Sequence, residues 1–185
     1  MPRRPPKPVR RTTLDVVRVH RSPLDRRQGL IVAGPLVLPC ALGRSGPTHD
    51  KREGDGATPV GRFRALQALY RPDRMRRPRS RLPLAPIDAQ DGWCDDPRDR
   101  NYNRPVRLPY PAGHERMRRE DGLYDAVVDL AYNRGPIRKG RGSAIFLHCA
   151  KPGFAPTEGC VAVDPRVIAR LLARIGPETR IEIVG

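Results

Sequence analysis

The sequence predicts a mostly β domain with one helix and long loops rich in proline and arginine. Short apolar, β-branched runs recur along the chain, each bounded by Gly, Pro or Asp. Only the segment after Asp164 combines helical spacing with signals at both ends. The length suits one domain: a chain near 185 residues buries roughly 70% of its unfolded surface and needs no disulfide or metal to fold. The 17 glycines and 22 prolines stay below the roughly 25–30% that marks low-complexity disorder. No apolar run reaches the ~18 residues of a membrane span.

Residues 1–12 read as a basic, proline-rich arm, and the domain as 13–184. Thr13–His20 (TLDVVRVH) is a β-branched strand. Leu30–Leu38 is a second apolar run, and Gly34-Pro35 inside it predicts a hairpin turn. Residues 43–61 are loop-like, rich in Gly, Asp and Thr. Phe63–Tyr70 reads as a strand. Residues 71–123 carry many Pro, Arg and Asp and few periodic runs, so little regular structure is expected; a stiff wall or lid over a cleft suits such a stretch. Asp125–Tyr132 and Ser143–Ala150 read as buried strands. Asp164 is a good N-cap and Pro165 suits the first helical position. Val167, Ile168, Leu171, Leu172 and Ile175 form the helix's apolar stripe, and Gly176-Pro177 ends it. Thr179–Val184 closes the chain as a short strand.

The formal charge is +16, almost all of it arginine. Residues 2–11 and 71–81 concentrate the cations, and both segments suit a polyanion or a solvated surface. With aromatics at 5%, a stacking platform for single-stranded nucleic acid is poorly supported, and no nucleic-acid partner is expected. The N-terminus is basic, but no apolar stretch of signal-peptide type follows it. The four cysteines, Cys40, Cys94, Cys149 and Cys160, show no CxxC or zinc-ligand spacing, and mostly free thiols are expected. Asp95, Asp96 and Asp99 lack the Gly and Glu of a calcium loop, so no metal site is expected.

Chemistry concentrates in residues 142–163 (GSAIFLHCAKPGFAPTEGCVAV). His148 ends an apolar strand. Cys160 follows Thr157-Glu158-Gly159 and precedes another apolar run. A thiol is only slightly ionised at neutral pH, and a neighbouring imidazole can take its proton to make the nucleophile. Gly159 allows tight backbone packing beside a reacting carbonyl, and Thr157 supplies a hydroxyl.

The pattern His148 … Thr157-x-Gly159-Cys160 resembles the active-site motif of the YkuD-like L,D-transpeptidases. Lys51–Phe63 (KREGDGATPVGRF) is similar to that family's early Thr-Pro-x-Gly-x-Phe element. Asp91–Val106 and Leu123–Asn133 also look like a compact proteobacterial branch of the family. The resemblance implies a YkuD-like β-sandwich or barrel-like domain. It implies Cys160 as nucleophile, His148 as general base, and backbone amides near Gly159 and Cys160 as oxyanion donors. The His is oriented in the family by a backbone carbonyl. The implied partners are peptidoglycan stem peptides, one as donor forming a thioester and one as amine acceptor, with no cofactor. Periplasmic action in cell-wall cross-linking follows from the resemblance, while the absence of a visible signal leaves a cytoplasmic location open. A monomer is expected. The sequence departs from the common motif at Glu158, at Val161-Ala162, at Cys149 after the His, and in its short His-to-Cys interval. The compact form looks like the type that attacks at L-alanine, with diaminopimelate the other option.

Further residues have two readings each. Cys149 is a pocket wall or second thiol, able to pair with Cys160, or a buried small hydrophobe. Trp93 stacks on substrate or plugs the core. Tyr132 and Asn133 end a strand and point toward the site. His49 is a surface residue or a pocket residue. Two other functions stand beside transpeptidation: an L,D-carboxypeptidase or amidase using the same acyl-enzyme, and a basic protein binding nucleic acid or an anionic polymer.

Overall fold

The computed structural model describes residues 13–185, so the arm read at 1–12 lies outside the described residues. β1 (Val16–Arg21), β2 (Gln28–Ala33) and β3 (Leu36–Ala41) form an antiparallel meander, and the β2–β3 turn is made by Gly34 at φ +61°. β4 (Pro47–Thr48) and β5 (Thr58–Pro59) pair briefly within the 43–61 loop. β6 (Gly61–Tyr70) is the longest strand, and β7 (Leu84–Pro86) lies parallel to its end. β8 (Asp91–Cys94), β9 (Pro105–Arg107) and β10 (His114–Arg116) make a small antiparallel sheet with β8 in the middle. β11 (Ala126–Leu130), β12 (Phe146–Cys149) and β13 (Val161–Val163) precede α1 (Pro165–Leu172) and β14 (Arg180–Val184).

The main sheet runs β11-β12-β13-β3-β2-β1-β14-β6, and β6 pairs back onto β11. The ladder therefore closes into a barrel, which removes exposed strand edges. Two pairings inside it are parallel, β1 with β14 and β12 with β13. The interior follows from alternation: Val17, Val19, Ile31, Ile181 and Ile183 point in, while Arg18 and Glu182 pair on the outside at 2.9 Å. Asp164 caps α1 by accepting the Arg166 amide, and Ile168, Leu171, Leu172 and Ile175 join the barrel's apolar cluster.

β11, β12 and β13 differ from the rest because both of their faces are covered. Leu147, Cys149, Val161 and Val163 face the barrel core. Phe146 and Val127 point outward, under a second cluster of Ile87, Trp93, Met117 and Tyr124. This is why their sequence reads as unbroken apolar runs instead of alternating ones.

Three expectations need correction. Residues 71–123 contain β7 to β10, strands of three or four residues too short and too interrupted by proline to show a period. The helix ends at Leu172, and the chain reaches Gly176 through turns rather than further helix. The strand expected from Ser143 begins at Phe146, because Ala144 sits at φ +51° and breaks the extended conformation.

Candidate active site

β12 and β13 run parallel with His148 opposite Ala162 and Leu147 opposite Val161. Phe146 and His148 therefore share the outward face of β12, and Ala162 continues that face on β13. Cys160, one residue before β13, lies on the same side, one diagonal step from His148. His148 is buried, and its Nδ1 lies 2.8 Å from the carbonyl of Cys149. A carbonyl only accepts, so Nδ1 carries the proton and Nε2 is left as the basic nitrogen. The Tyr124 ring packs edge-on against the imidazole at 5.3 Å between centroids.

The loop before Cys160 is pinned from below. Arg44 N–H donates to the Thr157 carbonyl (2.8 Å), and Thr157 N–H donates to Leu42 O (2.9 Å). The Thr157 hydroxyl donates to the Cys160 carbonyl (2.7 Å) and accepts the Gly159 amide (3.2 Å). The Thr58 hydroxyl also reaches the Cys160 carbonyl at 3.4 Å. Gly159 sits at φ +134°, and a Cβ there would lie 2.8 Å from the Ala57 carbonyl. Both the conformation and the space exclude other residues.

The thiol is held by residues 144–146. Cys160 Sγ donates to the Ala144 carbonyl (3.2 Å) and accepts the Phe146 amide (3.4 Å). Ala144 keeps its left-handed backbone because Asn103 Oδ1 accepts its amide at 3.1 Å. The same oxygen accepts Trp93 Nε1, and Asn103 Nδ2 donates to the carbonyls of Tyr132 and Asn133. The buried Asn103 thus uses all four of its amide sites to tie three segments together.

His148 and Cys160 open onto a cleft of about 510 Å³. Glu53, Asp95 and Glu115 contribute acidic groups to its lining; Arg116, Arg119 and Lys151 contribute basic ones. Glu53 accepts the hydroxyls of Ser143 (2.8 Å) and Tyr102. Arg119 pairs with Glu115 (3.3 Å) and Asp121 (2.6 Å), and its guanidinium lies over the Tyr124 ring. Burial pushes the Cys160 thiol up to about 12, and the Glu115 carboxylate adds to that. Burial pushes the His148 imidazole down to about 4, reinforced by Arg119. At neutral pH the pair therefore rests as thiol and neutral imidazole.

The structure brings Cys160, His148 and Thr157 into one cleft, with Gly159 in the loop that leads to Cys160. It does not bring Cys149 there. Cys149 faces the barrel core, on the opposite side of the sheet from Cys160, so the two cannot pair without reversing a strand; all four cysteines are free and buried. Trp93 lies in the core, edge-on to Phe146 at 5.0 Å, and plugs rather than lines the cleft. Tyr132 packs edge-on to Phe63 and donates to Arg141 O, and Asn133 braces the 138–142 turn; neither lines the cleft. His49 is exposed, away from the cleft, near Gly185. The Gly159 amide, expected as an oxyanion donor, is taken by Thr157 in this state. Sequence reading missed Asn103, Tyr124, Arg119, Glu115 and Glu53. Asn103, Tyr124 and Glu53 fall inside the stretches that carry the family resemblance, but no residue type there announced a place beside the thiol.

Residues 21–183 match the L,D-transpeptidase catalytic domain family, YkuD, and the chain belongs to that family. No curated protein matches the sequence. Among solved structures, the chain is similar to L,D-transpeptidase 1 of Mycobacterium tuberculosis, with 15% identity and a TM-score of 0.40 over 92% of this chain and 62% of that one. It is also similar to Bd1075 of Bdellovibrio bacteriovorus, with 18% identity and a TM-score of 0.47 over 91% of this chain and 47% of that one. The chain thus spans about half to three-fifths of the length of these two proteins.

Proposed function

We propose that this protein is a peptidoglycan L,D-transpeptidase working through a cysteine acyl-enzyme on the cell wall, outside the cytoplasmic membrane. The observation that carries the reading is the shared outward face of β12 and β13. It sets Cys160 one diagonal step from an imidazole whose Nε2 is free to take a proton, in a cleft open to substrate.

Cys160 Sγ attacks a stem-peptide carbonyl, and its proton passes to His148 Nε2 as the S–C bond forms. The resting pair is neutral, so the thiolate is not preformed and His148 takes the proton in the course of the reaction. The tetrahedral intermediate collapses with cleavage of the C–N bond, and the imidazolium returns the proton to the departing amine. A second stem then enters as free amine. It attacks the thioester, His148 accepts a proton from its nitrogen, and that proton returns to sulfur as the C–S bond breaks. The Cys149 carbonyl holds the imidazole through both halves and stabilises the transient imidazolium. The products are one new amide cross-link and regenerated thiol.

The test is intact-mass spectrometry of the purified chain with a defined disaccharide-tetrapeptide, beside Cys160→Ala. A Cys160-dependent acyl adduct and a cross-linked dimer are expected. The released fragment's mass reports whether the L-alanine or the diaminopimelate carbonyl was attacked. Release of the free acid alone, with amine present, would make the protein a hydrolase. Equal product from Cys160→Ala would remove the mechanism.

A further inference from the structure

Lys51 is a buried cation without a role in the reaction described above. It is 3% exposed, and its ammonium donates to Asp55 and to the Arg52 carbonyl (2.8 Å). Asp55 in turn accepts the amides of Arg52 (2.7 Å) and Ala57 (2.8 Å), so the 51–57 loop is a closed knot around one ion pair. The lysine stem threads between the two segments that hold the thiol. A Cβ on Gly142 would lie 2.9 Å from Lys51 Cγ, and one on Gly159 would lie 3.5 Å from Lys51 Cε. Gly159 precedes Cys160, and Gly142 opens the turn to Ala144, whose carbonyl receives the thiol. A buried ammonium costs several kcal/mol in desolvation, and packing alone would be served by an apolar side chain of the same shape. Its charge therefore calls for a reason beyond packing.

We infer that Lys51 is a positioning residue for the proposed reaction, whose buried charge, set behind Gly159, stabilises negative charge on Cys160 sulfur. The inference rests on the reading of Cys160 as nucleophile. Other charged and titratable groups act here too. Glu115 and Arg119 face the sulfur from the cleft wall, with opposite effects, and Tyr124 and His148 flank it. Asp55 faces the lysine from its own loop, and Tyr132 adjoins it near Gly142. Lys51 differs from Arg119 in approaching from the protein side, where substrate and water do not screen it. Attack moves charge onto sulfur in a buried site, and a fixed cation lowers that cost without reorganising.

The experiment is alkylation of Cys160 by iodoacetamide across pH 7–9, read by peptide mass mapping, on the full chain. Lys51→Met keeps the stem and removes the charge; Lys51→Arg keeps the charge; Asp55→Asn removes the partner and leaves the lysine. Lys51→Met should slow alkylation about tenfold at each pH, a displacement of about one pH unit. Lys51→Arg should recover most of that, and Asp55→Asn should be no slower than wild type. A wild-type rate in folded Lys51→Met would overturn the inference. Equal slowing in Lys51→Met and Asp55→Asn would also overturn it, since it would make the ion pair a structural clamp only. Should Lys51→Met not fold, Asp55→Asn decides: a rate at or above wild type supports the inference, and a slower one refutes it. Alkylation needs no stem peptide. The predicted pattern without any acyl adduct would therefore sink the transpeptidase reading and leave standing only the effect of Lys51 on charge at the Cys160 sulfur.

Discussion

Acid should destabilise this protein through His148, and Gln in its place should remove that sensitivity. Burial pushes the imidazole from 6.5 down to about 4. The unfolded chain then binds a proton between those values that the folded chain refuses. The stability is present above pH 6.5, is lost progressively as the pH falls from 6.5 to 4, and is fully lost below 4. At pH 7 the cost is only a few tenths of a kcal/mol; at pH 5 it has grown to about 2 kcal/mol, from 1.36 kcal/mol per unit. Asp129 acts in the opposite sense. Its carboxyl is buried beside Arg134 and Gln67 and is pushed up to about 6, so its folded form gains a proton where the unfolded form has lost it. The two effects offset one another in the wild-type profile, and a flat curve alone would mean nothing. The informative quantity is the difference between wild type and His148→Gln, in which Asp129 cancels. Glutamine can still donate to the Cys149 carbonyl, so the bond at 2.8 Å has a replacement. Urea unfolding at pH 7 and pH 5 should show wild type losing about 2 kcal/mol more than His148→Gln. Parallel losses, within about 0.5 kcal/mol, would refute the buried neutral imidazole and with it the resting thiol–imidazole pair.

Three further outcomes follow from the same geometry. Gly159→Ala forces a left-handed backbone and a 2.8 Å contact with Ala57 O, so it should cost about 1–3 kcal/mol and displace the thiol; a melting curve and an alkylation rate check this. Asn103→Ala strands two donors and two acceptors, should cost about 3 kcal/mol or more, and should unlock Ala144, visible as faster exchange of the Ala144 amide and of the Trp93 indole N–H. Cys149→Ala should retain acyl transfer per folded molecule, measured with the same stem peptide, because its side chain faces the barrel core; loss of transfer at unchanged stability would restore it to the cleft.

Local chemistry was enough to reveal the β-rich class, the β2–β3 hairpin at Gly34, the Asp164 cap and the closing strand, because each depends on backbone preference over a few neighbouring residues. The small sheet of β8 to β10 was not legible. Its strands are held by partners up to some twenty residues away, such as Trp93 opposite Glu115, and by a tryptophan core rather than by their own periodicity. His148, Thr157, Gly159 and Cys160 stood out in the sequence through their likeness to a family motif, and the family match covers the segment that holds them.

What the sequence by itself determined is therefore the fold class, the elements whose signals are local, and the reactive residue types. Propensity, capping and turn chemistry act locally and leave a local trace. Only the tertiary structure decided which face each side chain takes. Cys149 and His148 are neighbours in sequence, yet strand alternation sends one into the barrel core and the other to the cleft. Trp93, set in a polar stretch, is buried because barrel closure leaves the outer face of β11 and β12 to be covered by the 87–124 segment. The shifts on Cys160 and His148 arise the same way, since desolvation depends on what surrounds a group in space and has no signature in the order of residues along the chain.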